Sequence, residues 1–278
     1  MLFLLLAILS SSMVSIVMRI SSGRIAANLS MLAVNYLVCS FLGAVYAGFD
    51  LWTWSTSGFA MMVGLGVISG ILYLAGFVML QRSVQKNGVV LSSVFMKLGL
   101  LVPIAMSLVF FHEIPTLAQI AGFCIAVGAI ILINLKKNSG HGDFGMGLIL
   151  LLLLGGGCDA MSKVFEVVGN AALSEQFLFY TFLMAFLLCA ALVIRSGERP
   201  GMREMMFGAL IGIPNFFSAK FLLLALTKLP AVVVYPSFSV ATLLVITLTG
   251  VAVFRERLSR LQWIAVAAIV AALVLLNI

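Results

Sequence analysis

Four ionisable side chains stand inside stretches that are otherwise apolar. Lys97 lies in VVLSSVFMKLGLLVP, Asp159 and Lys163 in GGGCDAMSKVFE, and Lys220 in IPNFFSAKFLLLAL. A charge in the middle of a membrane-length apolar run costs roughly 3 kcal/mol on insertion scales, so each is a functional candidate by default. Asp159 and Lys163 are four apart, share a helix face and can pair, and Glu166 continues that stripe. Such a pair could equally do no more than lower the insertion cost. Lys97 has no acid in its own run, and Ser93 stands one turn before it. Its partner must come from another helix, with Asp159 a candidate, or from a solute; the alternative is snorkelling to the membrane surface. Lys220 follows Pro214 and Asn215, and its candidate structural partners are Asp159 and Glu166. Three lysines against Asp159 make a site that is neutral to positive. That suits a solute bearing a carboxylate or phosphate, or an amino acid. Tyr36, Tyr73 and Tyr235, the last with Ser239 one turn on, add polar groups; so do Ser11, Ser12, Ser15, Asn35 and Tyr180. Each alone could merely glue helices together. As a set they outline a polar midplane cavity.

The elements that must position these residues follow from composition. The chain has 278 residues, 63% hydrophobic and 9% charged, where a soluble domain carries roughly a quarter charged residues. Apolar runs long enough to span a bilayer recur throughout. The expected class is an all-α polytopic membrane protein with ten transmembrane helices. The predicted spans are 1–18, 29–48, 58–80, 88–110, 116–135, 145–165, 174–194, 205–226, 231–253 and 260–277. A polar connection, KKNSGHGDFGMG from Lys136, divides them five and five. The halves are residues 1–137 and 145–278, with the central loop at 138–144. The four cysteines sit in apolar runs without CxxC spacing and read as packing residues. The net charge of +7 comes from residues at the ends of spans, so it speaks for topology rather than nucleic acid. The N-terminal MLFLLLAILSSS has no basic region ahead of it and reads as a retained first span.

One stretch occurs twice, from Gly88 to Asn134 and from Ala231 to Asn277. At a constant offset Glu113 falls on Glu256, Gln119 on Gln262 and Asn134 on Asn277. Five spans per half put the second half in the membrane upside down. Inverted repeats of this kind suit alternating access. The glutamates lie at charged elbows and read as structural or gating residues. Lys97 falls on Val240 and Lys220 on Phe77 in this register, so the charged positions are where the symmetry breaks. Lys and Arg concentrate in the odd-numbered loops: Arg19, Arg24, Arg82, Lys86, Lys136, Arg195, Arg203 and Arg255 among them. The even-numbered loops hold Lys228 with Asp50, Glu113 and Glu175. This bias places the odd loops in the cytoplasm and both termini outside.

The segments FFHEIPTLAQIAGFCIAVGAIILIN and VFRERLSRLQWIAVAAIVAALVLLN resemble the end of the EamA repeat of the drug/metabolite transporter superfamily. Its usual form is a span ending in a Gly-Glu-Arg-like elbow, Gln about six residues on, and a Gly- and Ala-rich last span. Here His112 and Arg255 stand at the elbow glycine. The resemblance covers the whole chain and implies a ten-helix secondary transporter. It leaves the substrate open among amino acids, drugs, nucleotide sugars and sugar phosphates. The expected function is alternating-access movement of a small polar, anion-bearing metabolite, driven by protons or counter-substrate exchange and without a bound cofactor or metal. Substrate contacts fall to Lys97, Lys220, Asp159, Lys163, Ser93, Tyr235, Asn215, Tyr36 and Tyr73. The alternatives are a proton-coupled exporter of drugs or neutral metabolites and a non-transporting scaffold or sensor. HExxH, Walker, GxSxG and GxGxxG motifs are absent, which argues against an enzyme or a primary pump. The expected partners are the lipid bilayer and a small molecule, with no nucleic acid. The expected setting is the bacterial inner membrane, as a monomer or homodimer.

Overall fold

A computed structural model describes residues 1–21, 24–87, 89–112, 114–134, 146–198, 201–253 and 260–277. The central loop and both elbow glutamates, Glu113 and Glu256, lie outside the described residues. Among those described, all regular structure is helical: α1 (Leu2–Ser21), α2 (Asn28–Tyr46), α3 (Phe59–Asn87), α4 (Val89–Leu98), α5 (Leu101–Phe110), α6 (Leu117–Asn134), α7 (Met146–Val168), α8 (Ser174–Ser196), α9 (Met202–Leu226), α10 (Ala231–Ala252) and α11 (Arg260–Leu276). Among the described residues, seven helical segments are long and apolar enough to cross a membrane, and Phe95–Phe110, Leu117–Leu132 and Trp263–Leu276 are shorter apolar segments. The chain is an all-α integral membrane protein.

The expected continuous span over 88–110 is instead two helices, α4 and α5, broken at Gly99–Leu100. The cause lies four residues further on. Pro103 has no amide hydrogen to give the Gly99 carbonyl, and its ring crowds that carbonyl. The ladder tightens locally to i−3 bonds, with Gly99 N donating to Met96 O at 3.2 Å and Val102 N to Gly99 O at 2.9 Å. Pro214 and Pro236 lie inside α9 and α10 without ending either helix.

The chain forms two compact units, each drawing on both sequence halves. Unit 1 comprises 1–74 and 164–225; unit 2 comprises 75–163 and 226–278. In unit 1, α2 packs along α8. Gly208 and Gly212 of α9 lie one helical turn apart against the α2 backbone; a Cβ on Gly212 would sit 2.8 Å from Asn35 O. Lipid offers helices no hydrophobic gain on meeting, so such close backbone packing and buried hydrogen bonds hold the unit together. Phe165 stacks on Phe177 with centroids 4.3 Å apart. The start of α2 has no cap from its own N-cap residue, Ala27. Two acids from elsewhere meet the exposed amides: Ala26 N donates to Glu204 at 3.0 Å and Ser30 N to Glu198 at 3.3 Å. At the other end of α2, the connection to α3 is fastened to α8. Gln176 Nε2 donates to Asp50 O at 3.1 Å and Tyr180 Oη to Leu51 O at 3.0 Å.

In unit 2, α6 packs along α11, and α10 packs against α5, α6 and α11. A reciprocal capping box opens α6: Thr116 N donates to Gln119 Oε1 at 3.0 Å, and Gln119 N to Thr116 Oγ1 at 3.2 Å. That is the work of the repeated glutamine in the first copy. Just upstream, His112 adopts φ 53°, the left-handed conformation that glycine takes without cost. The elbow position therefore has a backbone reason to hold glycine.

Candidate functional site

The break between α4 and α5 sets the chemistry of unit 2. Lys97 is in the last turn of α4, directly before the interruption. Gly99 meets Gly156 of α7 backbone to backbone: a Cβ on Gly99 would lie 2.7 Å from Gly156 N. One turn along α7 from that contact stands Asp159. Lys97 and Asp159 are half-buried, and they interact as opposite charges. Tyr235 of α10 closes the group. It is 1% exposed, and its hydroxyl donates to the Asp159 backbone carbonyl at 2.6 Å. Lys163, also buried, carries its ammonium 5.9 Å from the Phe111 ring centroid. Four predicted residues, Lys97, Asp159, Lys163 and Tyr235, thus belong to unit 2, around a helix discontinuity. The side chain of Ser93 lies outside the described residues.

The remaining predicted residues belong to unit 1. Lys220 pairs neither with Asp159 nor with Glu166. Its ammonium is 2.7 Å from Glu175 Oε1 and 3.5 Å from the Tyr46 ring centroid. Phe216 and Phe217 pack on Tyr46 at 5.6 and 5.9 Å. The charge thus sits against an aromatic wall with a carboxylate beside it. Glu175 Oε2 is buried without a hydrogen-bond partner among the described residues. Asn215 Nδ2 donates to Asn35 Oδ1 at 3.2 Å, and Cys39 Sγ donates to Gly212 O at 3.2 Å in the same buried group. Tyr36 and Tyr73 flank Phe182, with centroids 6.5 and 5.7 Å away. Two of the weaker candidates, Ser12 and Ser15, bond back to carbonyls of α1.

Glu175 is the residue that sequence reasoning missed, because it reads as a loop acid. Antiparallel geometry could have found it. Consecutive antiparallel helices put the start of α8 and the end of α9 at one membrane face. Lys220 is six residues before the end of α9, about 9 Å in depth, within reach of a lysine chain.

The fold and these charged groups define an all-helical membrane protein with ionisable residues inside its spans. Residues 146–278 match the EamA-like transporter family, which supports membership of the EamA-type drug/metabolite transporter superfamily. That similarity points to a membrane transporter of this type. An uncharacterised protein of Haemophilus influenzae (strain ATCC 51907 / DSM 11121 / KW20 / Rd) is 23% identical over 274 residues, 95% of this chain and 93% of its own. A solved crystal structure aligns with a TM-score of 0.75 at 16% identity, over 99% of this chain and 94% of that one. It shares the fold.

Proposed function

We propose that the protein is a secondary transporter of a small polar metabolite bearing an anionic group, and that Lys97 and Asp159 bind it. Ten spans in two inverted five-helix repeats would expose the site to each side of the membrane in turn. The observation that carries this reading is the broken span beside two opposite intramembrane charges, Lys97 and Asp159. Irregular backbone at membrane depth is tolerated where protein buries it or where it lines a wet cavity. In transporters such breaks lie at substrate sites.

The acid partners refine the substrate. Lys97 is accompanied by Asp159, and Lys220 is held by Glu175. Neither cation is left over for a simple anion. A solute with both charges, an amino acid or a similar zwitterion, exchanges one internal pair for two external ones without leaving a buried charge alone. Asp159 would receive the ammonium and Lys97 the carboxylate, while Tyr235 fixes the backbone at Asp159. The packing of α2 on α8 and of α6 on α11 supports the pseudo-two-fold relation, since these pairs are span two with seven and span five with ten. The Lys/Arg bias supports termini outside a bacterial inner membrane.

A ligand panel on the purified full-length protein tests the substrate class, because a ligand stabilises only the state that binds it. Zwitterionic amino acids should raise the melting temperature, and Lys97→Met and Asp159→Asn should abolish that shift. Stabilisation by organic cations alone would refute the reading.

A further inference from the structure

We propose that the pocket bounded by Arg24 and Arg203 is a binding site for the phosphate of an anionic phospholipid. The pocket has a volume of about 380 Å³ and is lined by Arg24, Arg203, Met206 and Phe207. Residues 203, 206 and 207 lie three and four apart in the first turns of α9 and so share one face. Arg24 comes to them from the connection between α1 and α2. All four residues belong to unit 1.

Neither arginine in this pocket is ion-paired or hydrogen-bonded among the described residues. Both are exposed. The nearest acids along the chain turn to the start of α2 instead: Glu204 accepts from Ala26 N and Glu198 from Ser30 N. Two guanidiniums bordering one cavity repel each other until an anion sits between them. The planar donor fork of each matches phosphate oxygens. The rest of the lining is apolar. Phe207 is 6% exposed and part of the cluster with Met31 and Ile211, while Met206 is 50% exposed. That wall suits a glycerol backbone or acyl chain and gives a fully hydrated free anion little. Position agrees. Arg24 is three residues past the end of α1 and Arg203 is the second residue of α9, where apolar spans reach headgroup depth.

The test uses the full-length protein in mild detergent, with native mass spectrometry counting bound lipid and a melting curve reading stability. The probes are phosphatidylglycerol, phosphatidylcholine and, separately, inorganic phosphate and glycerol phosphate. Phosphatidylglycerol should bind in preference to phosphatidylcholine and raise the melting temperature more. Arg24→Gln and Arg203→Gln should each weaken phosphatidylglycerol about tenfold, the loss of one charge-assisted contact, and the double variant should bind both lipids alike. Arg195→Gln, on the exposed end of α8, should keep the preference and so exclude a general effect of net charge. The proposal is overturned if wild type shows no preference, or if the double variant keeps it while still eluting as a folded monodisperse species. It is also overturned if inorganic phosphate or glycerol phosphate protects as well as the lipid does, since the site would then serve soluble phosphates.

Discussion

Replacing Lys220 by methionine separates the internal pairing of this lysine from a direct role in holding solute. Methionine keeps the unbranched apolar stem and a favourable sulfur contact with the Tyr46 ring, but it removes the charge. At 2.7 Å the gross attraction to Glu175 is about 6 kcal/mol at an effective dielectric of about 20, and desolvation offsets most of it. Removing one partner of a fully buried pair costs roughly 3–5 kcal/mol, chiefly through the charge left behind. Lys220 and Glu175 keep 15% and 27% side-chain exposure, so the loss should fall to about 2–3 kcal/mol, including about 1 kcal/mol from the ammonium over Tyr46. Glu175→Gln should cost somewhat less, because glutamine can still accept from Lys220. The double variant should then be more stable than the two single losses predict, with a coupling of about 2 kcal/mol. Reversible unfolding in mixed detergent micelles, read by tryptophan fluorescence, measures all four proteins. A coupling below about 0.5 kcal/mol would refute the pair as a stabilising contact and return Lys220 to the pool of free anion ligands.

Three further perturbations follow from the same geometry. Tyr235→Phe deletes the 2.6 Å bond to Asp159 O; it should cost about 1 kcal/mol and raise the substrate KM more than it lowers the maximal rate, as flux measurements will read. Gly156→Ala places a methyl group 2.7 Å from Val102 Cβ; overpacking should cost about 1–3 kcal/mol and impair transport, whereas Gly64→Ala, with open space around it, should do neither. His112→Val should destabilise, and His112→Gly should not, because φ 53° is worst for a β-branched side chain; equal melting temperatures for the two would contradict the elbow assignment.

Much of this is legible in the sequence. Charges are scarce inside membrane-length apolar runs, so Lys97, Asp159, Lys163 and Lys220 identify themselves, and Asp159 was among the partners available to Lys97. Other features depend on facts a linear pattern does not hold. The break at Gly99–Leu100 lies four residues upstream of the proline that causes it, so hydropathy reads one continuous span. Tyr235 matters through a backbone carbonyl of another helix, which no spacing rule selects. Glu175 looks like a loop acid until the antiparallel register of α8 and α9 places it at the depth of Lys220. The Thr116–Gln119 cap, by contrast, was open to reading, since Ser259 stands three residues before Gln262 as Thr116 does before Gln119.

The central claim, that Lys97 and Asp159 together hold a zwitterionic solute during transport, is tested most directly by counterflow. Proteoliposomes are loaded with an unlabelled amino acid identified by the ligand panel, and entry of the labelled compound is followed. Wild type should show a transient overshoot, Lys97→Met and Asp159→Asn should lose it, and the control Arg195→Gln should keep it. Wild-type overshoot in both charge variants, reconstituted at equal density, would contradict the account.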